Sequence, residues 1–178
     1  VMVFTGDWHG LDDEEIDPVA PDPARGTYPP HCMGRSTDEE ERSGAELIPE
    51  IAPHDPLVLD VDAVHVEGLR IAREALESAR NVFIRKTRFD VFAGNAATEA
   101  FVAELARSAD DHLEFIVFGV ARDVCVTQAV DGLQQRGRRV RALRDATWGL
   151  GLEQEQATLE RWARTGTVCT LDELRARF

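Results

Sequence analysis

The sequence predicts an α/β fold of three layers, in which helices cover both faces of a central, mainly parallel sheet. Two observations support this prediction. In the second half of the chain, short apolar segments typical of buried strands alternate with segments whose apolar residues recur at helical spacing. Such alternation favours parallel strands with helices packed against them. The length of 178 residues also fits a single domain over residues 1–178.

Three strands and one helix are predicted in the first half of the chain. Residues 1–4 are apolar and typical of a buried strand, residues 57–64 alternate apolar and acidic side chains, and residues 82–84 are apolar again. A helix is predicted over residues 68–79. Residues 10–50 are rich in Pro, Asp and Glu. We expect them to form a long ordered loop with short helical turns, and loops of this length are usually functional.

The second half of the chain is predicted to contain three strands and four helices. Residues 115–119 are continuously apolar, which is typical of a strand covered on both faces. Asn95 can begin the helix before this strand, and Gly137 can end the helix after it. In chain order, the predicted elements are a helix over 95–109, a strand over 115–119, a helix over 123–136, a strand over 139–143, a helix over 152–164, a strand over 167–170 and a helix over 171–176.

The composition excludes several classes of protein. With 20 basic and 33 acidic residues, the net charge is −13, which argues against nucleic-acid binding because a phosphate backbone requires a basic surface. No apolar segment approaches the ~18 residues of a membrane helix, and no leader peptide is recognisable. The cysteines, Cys32, Cys125 and Cys169, form no paired motif. Free thiols in a reducing, cytoplasmic compartment are therefore expected.

Only one of the 20 basic residues is a lysine, Lys86. Arginine cannot replace lysine where a compact ammonium group with a tunable pKa is required, although chance retention of one lysine would give the same count. Ligands of parallel α/β sheets bind beyond the carboxyl ends of the strands. Asp7, Lys86 and Cys125 each follow a predicted strand, so we expect all three at that edge.

Cys125 stands at a predicted strand-to-helix junction. The partial positive charge and unpaired N–H groups of a helix N-terminus lower the pKa of a thiol and can stabilise an oxyanion. A nearby ammonium group would lower the thiol pKa further. From the spacing alone, a small buried residue in the first turns of a helix remains the commoner interpretation of such a cysteine.

Asp7 and His9 are candidate metal ligands. In an extended segment, residues two apart point the same way, so both side chains can reach one ion. His31 in the long loop would be a third ligand, and two histidines with one carboxylate suit Zn²⁺, Fe²⁺ or Mn²⁺ with positions left open. Cys32 is a fourth candidate, although packing is the commoner role of such a residue. An isolated Asp-x-His pair is usually structural.

The motifs together resemble those of the isochorismatase-like cysteine hydrolases, most closely their nicotinamidase branch. The resemblance covers nearly the whole chain, and several motifs in the same order are more specific than any one of them. These motifs are Asp7-Trp8-His9, YPPHC at 28–32, GAEL at 44–47, Lys86 with FDVF at 89–92, GVARDVCV at 119–126 and Asp145-Ala146.

The resemblance implies an isochorismatase-like, Rossmann-like fold and a set of catalytic residues. Cys125 would be the nucleophile that forms a thioester, and Lys86 the lysine of the catalytic triad. The backbone N–H groups of Ala121 and Cys125 would form the oxyanion hole, with a cis peptide between Val120 and Ala121. The third member of the family's triad is an Asp at the end of a first strand, which nothing in this chain matches. We therefore expect an N-terminal strand ahead of Val1.

The resemblance also implies a metal site and an aromatic pocket. Asp7, His9 and His31 would hold the divalent metal, which is zinc, iron or manganese in this family. Trp8 and Tyr28 would wall the pocket for the substrate ring. Some relatives carry another histidine shortly after the Asp-x-His pair, where this chain has acidic residues such as Glu15.

The expected activity is hydrolysis of a small amide, with nicotinamide as the favoured substrate. One alternative keeps the chemistry and changes the substrate to a carbamoyl, ureido or maleamate-type compound. Another is a non-catalytic family member that acts as a binding or oligomerisation module. The expected partner is the small-molecule amide, with neither nucleic acid nor membrane, and assembly into a homo-oligomer is left open.

Overall fold

The computed structural model describes residues 1–109 and 113–178. It divides the chain into two compact units, Val1–Ser108 and Ala109–Phe178. Each unit contains its own three-stranded sheet, and all strand pairs in both sheets are parallel. The predicted α/β fold with parallel strands is therefore confirmed.

The first unit has a sheet in which β3 lies between β1 and β2. The register places Asp7, the last residue of β1, beside Lys86, the last residue of β3. The elements are β1 (Val3–Asp7), a 3₁₀ turn (Pro23–Arg25), α1 (Glu39–Ser43), β2 (Leu57–Leu59), α2 (His65–Ser78), β3 (Val82–Lys86), α3 (Val91–Gly94) and α4 (Thr98–Ser108).

The core of the first unit explains why these segments fold as they do. The apolar start of β3 is buried on both faces, as expected for the central strand of a parallel sheet. Helices α2 and α4 pack against each other, and each buries apolar side chains, such as Ile71 in α2 and Phe101 in α4. Gly68 permits this close approach, because a Cβ there would lie 2.3 Å from the carbonyl oxygen of Ala97.

The second unit has a sheet in which β5 lies between β4 and β6. Among the residues that the structure describes, no helix is long and apolar enough to cross a membrane. The elements are β4 (Glu114–Val120), a π-helical turn (Arg122–Val126), α5 (Thr127–Gln135), β5 (Arg139–Trp148), α6 (Glu155–Trp162), β6 (Thr167–Cys169) and α7 (Leu171–Arg175).

Several predicted boundaries differ from the structure. Strand β4 is not covered on both faces, since Phe118 and Val120 are exposed. The helix predicted from residue 152 begins at Glu155 because the N–H groups of Leu150 and Leu152 donate to the Asp123 carboxylate, 2.8 and 2.7 Å away. Those N–H groups hold the segment in a loop rather than in a helical turn.

Candidate functional site

The first unit brings Asp7, His9 and His31 together. One ligand atom from each side chain lies within 4.8 Å of the others. Asp7 and His9 point the same way because they are two residues apart in an extended segment, while Trp8 between them points into the core. The three residues predicted from the sequence as metal ligands therefore form one cluster.

His9 carries the clearest sign of a ligand site. Its imidazole is fully buried and its Nδ1 lies 3.2 Å from Oδ2 of Asp13. Its Nε2 is 3.8 Å from the Asp7 carboxylate and has no hydrogen-bond partner among the described residues. Burial lowers the pKa of His9, against the opposing carboxylates of Asp7 and Asp13. A divalent metal binds the lone pair of a neutral imidazole nitrogen, and the buried Nε2 of His9 has such a lone pair without a partner among the described residues.

His31 completes the cluster from the long loop. Its Nδ1 donates a hydrogen bond to the carbonyl oxygen of Pro29 at 2.9 Å. The proton is therefore on Nδ1, and Nε2 presents the lone pair that can bind a metal. Two imidazole nitrogens and one carboxylate fit a divalent transition metal and leave coordination positions open. The residues present therefore fit the metal that the sequence predicted, and the choice among zinc, iron and manganese stays a prediction.

Lys86 lies against the same cluster. It is the last residue of β3, one strand away from Asp7 in register, and its ammonium group forms an ion pair with Oδ1 of Asp7. The side chain of Lys86 is only 2% exposed, and a charge buried to this degree requires such a partner. The sequence predicted Lys86 at this edge of the sheet but not its pairing with Asp7, a predicted metal ligand.

Glu15 is a second acidic residue close to Lys86. Its Oε2 accepts a hydrogen bond of 2.7 Å from the backbone N–H of Phe89. Burial raises the pKa of Glu15 to about 7, against the opposing effects of that hydrogen bond and of the Lys86 ammonium group. The side chain is thus held at the start of the segment that follows β3.

Phe89 is an aromatic neighbour of the predicted metal ligands, and its place in the FDVF motif predicted no role for it. Its ring stacks on that of His31, with centroids 6.1 Å apart and planes at 16°, and meets the edge of Tyr28 at 5.0 Å. Trp8, predicted as a pocket wall, is only 6% exposed and lies beneath the Arg85 guanidinium at 3.7 Å. The position of Phe89 three residues after Lys86, beyond the carboxyl end of a strand, was the available signal.

Cys125 belongs to the second unit, where it lies partly buried in the π-helical turn after β4. The peptide bond between Val120 and Ala121 is cis, as the resemblance implied. The carbonyl oxygen of Ala121 accepts from the N–H groups of Val124 and Val126, both at 3.1 Å, which folds the turn around Cys125. The roles of Cys125 as nucleophile and of Ala121 in the oxyanion hole stay predictions, as does the proximity of Lys86 to Cys125.

The parallel sheets, the ligand cluster at the end of β1 and the cysteine turn after β4 define an isochorismatase-like α/β protein. Comparison with known families agrees. The model of the isochorismatase domain matches residues 63–173, so the chain belongs to this family. Isochorismatase domain-containing protein 1 of Salmo salar is 36% identical over 108 residues, which is 60% of this chain and 35% of that protein. The chain thus spans about a third of that relative's length.

Solved structures share the fold. An isochorismatase-like hydrolase from Alkaliphilus metalliredigens has a TM-score of 0.62 at 17% identity, over 98% of this chain and 71% of that one. Nicotinamidase from Bacillus subtilis has a TM-score of 0.58 at 19% identity, over 94% of this chain and 73% of that one. N-carbamoylsarcosine amidase from Thermoplasma acidophilum has a TM-score of 0.57 at 20% identity, over 94% of this chain and 70% of that one. At these identities the likeness concerns the fold and not the substrate.

Proposed function

We propose that this chain is a metal-containing cysteine amidohydrolase that converts nicotinamide and water to nicotinate and ammonia. The cluster of Asp7, His9 and His31, with the buried and unpartnered Nε2 of His9, is the observation that carries the proposal. A divalent metal held there would supply a Lewis-acidic centre able to bind a pyridine nitrogen or a water molecule. Membership of the isochorismatase domain family supports the hydrolase class.

The aromatic residues beside the cluster favour a flat ring as the substrate. Phe89 and Tyr28 meet edge to face next to His31. Ring faces and edges of this kind bind another aromatic ring through offset or edge contacts. A pyridine amide satisfies both the aromatic surface and the ligand cluster, whereas an aliphatic carbamoyl compound would use only the cluster.

Cys125 would carry the covalent step. Its thiolate attacks the amide carbonyl carbon, and the carbonyl oxygen takes up negative charge that the N–H groups of Ala121 and Cys125 stabilise. The nitrogen takes up the proton that the thiol lost, which a carboxylate would carry, so that the C–N bond breaks, ammonia leaves and the acyl group remains as a thioester. Water hydrolyses the thioester, which releases nicotinate and restores the thiol. As the family resemblance implies, the Lys86 ammonium group would favour the thiolate form of Cys125.

Ammonia release from nicotinamide, measured with the full-length protein, tests the proposal. We expect release by the wild type and none by Cys125→Ala. Cys169→Ala is the matched control, because it removes a buried thiol from the same unit at the end of β6. Ammonia release by Cys125→Ala at the rate of Cys169→Ala and of the wild type would remove Cys125 from the mechanism.

A substrate panel separates the proposed activity from its alternatives. Turnover of a carbamoyl, ureido or maleamate-type compound without turnover of nicotinamide would overturn the substrate and keep the hydrolase class. Stoichiometric binding of nicotinamide without turnover of any compound would favour a non-catalytic binding module.

A further inference from the structure

Asp13 is held firmly behind the metal ligand His9. Its Oδ2 lies 3.2 Å from Nδ1 of His9 and accepts from the N–H of Gly10 at 3.0 Å, while its Oδ1 is paired with the Arg35 guanidinium. The side chain of Asp13 is only 12% exposed. Both carboxylate oxygens are therefore engaged, and the group has little freedom to rotate.

The contact with Asp13 determines which nitrogen of His9 can bind a metal. A carboxylate only accepts hydrogen bonds, so Nδ1 of His9 carries the proton and Nε2 presents its lone pair. That Nε2 is the buried atom without a partner that faces Asp7. Asp13 thus fixes both the tautomer and the rotation of the ring.

Arg35 contacts both the Asp13 carboxylate and the backbone of His9. Its guanidinium contacts the carboxylates of Asp13 and Asp12, and its backbone N–H donates to the carbonyl oxygen of His9 at 3.0 Å. The N–H of His9 in turn donates to the carbonyl oxygen of Cys32 at 2.9 Å. These bonds align the loop that carries His31 with the segment that carries His9.

We propose that Asp13 and Arg35 are positioning residues that set the orientation of His9 and thereby the affinity of the cluster for a divalent metal. The inference rests on the metal site of the proposed function and goes beyond it, because neither residue belongs to the ligand cluster. Carboxylates that orient a metal-bound histidine typically contribute about 10- to 100-fold to metal affinity.

Asp12 provides a matched control within the same turn. It carries the same charge and contacts the same guanidinium at 3.0 Å, but it is 82% exposed and makes no described contact with His9. Asp12→Asn therefore removes one negative charge near the site while leaving the orientation of His9 unchanged. Asp13→Asn removes the same charge and also replaces one of the two engaged carboxylate oxygens with an NH2 group, which cannot accept a hydrogen bond.

The test is the zinc dissociation constant of the full 178-residue chain, measured by competition with a chromogenic chelator. We expect Asp13→Asn to weaken zinc binding by about 10- to 100-fold, Arg35→Met to weaken it by less, and Asp12→Asn to leave it within about threefold. The visible absorption spectrum of the Co²⁺-loaded protein should change in Asp13→Asn and not in Asp12→Asn, since it reports ligand geometry.

The outcomes separate this inference from the metal site itself. A wild type that binds no zinc overturns both. A wild type that binds zinc, together with an Asp13→Asn variant of equal affinity and an unchanged cobalt spectrum, overturns only the positioning role. Equal weakening in Asp12→Asn and Asp13→Asn also overturns it, because charge alone would then account for the effect. Circular dichroism of the metal-free variants verifies that each one is folded.

Discussion

Replacing Glu15 with Gln should change how the stability of the protein depends on pH. The Glu15 carboxyl accepts a hydrogen bond from the Phe89 N–H at 2.7 Å, and burial raises its pKa to about 7. The amide of Gln keeps an oxygen that can accept the same hydrogen bond. It cannot ionise, so the substitution removes the titration while preserving the contact.

The magnitude follows from the raised pKa. A rise from 4.5 to about 7 corresponds to an upper value of about 3 kcal/mol. Partial exposure and solvent screening reduce this to about 1–2 kcal/mol. The folded state binds this proton more tightly than the unfolded state. The protonated Glu15 carboxyl therefore contributes its full stabilisation below pH 4.5, and this contribution is lost as the pH rises through 7.

Chemical denaturation of wild type and Glu15→Gln at pH 5 and pH 8 measures the effect, with a chelator present in all samples. The stability of the variant relative to wild type should rise by about 1–2 kcal/mol between the two pH values. Glu14→Gln is the control: Glu14 is 75% exposed and paired with Arg88, so its difference from wild type should stay constant. A constant difference for Glu15→Gln, or one that falls with pH, would refute the reasoning.

Three further predictions concern packing and the metal. Lys86→Met leaves the Asp7 carboxylate without its buried partner and should cost about 3 kcal/mol in urea unfolding; a loss below about 1 kcal/mol would mean that the pair contributes little. Gly68→Ala places a Cβ against the carbonyl oxygen of Ala97 and should cost about 1–3 kcal/mol, whereas unchanged stability would show that the helices move apart freely. His31→Ala should lose bound zinc in elemental analysis. It should also lose the stabilisation that zinc gives wild type, about 2.7 kcal/mol at a hundredfold excess over Kd, and with it the rise in melting temperature. Unchanged zinc content would remove His31 from the site.

The parts of the fold that were predictable from the sequence are those that depend on local pattern. The alternation of apolar segments with helical spacing predicted the parallel strands, and the Asp7-x-His9 spacing predicted two side chains on one face. His31 could be added because it stands behind two prolines in a long loop. Strand β5 extends to Trp148, beyond the predicted residue 143, because its pairing with β4 shifts register after Ala142 and resumes at Thr147 and Trp148, which no apolar pattern indicates.

The parts that were not predictable depend on the path of the long loop. Asp13 reaches His9 through a turn closed by a hydrogen bond from the Asp13 N–H to the carbonyl oxygen of Gly10, and no periodic pattern encodes that turn. Arg35 is one of 19 arginines, so its type alone does not distinguish it. Phe89 belongs to the FDVF motif at 89–92, but the motif does not indicate that its ring stacks on His31.

The register between β1 and β3 has a consequence for how this protein tolerates insertions and deletions. Asp7 stays beside Lys86 only while both strands keep the same number of residues from the point where they first pair. Losing one residue within Val3–Gly6 would turn the following side chains to the opposite face of the sheet. The carboxylate would then point to the face of the sheet on which the Trp8 indole packs. We therefore expect the protein to tolerate insertions and deletions in the exposed loop of residues 18–27 and not within β1.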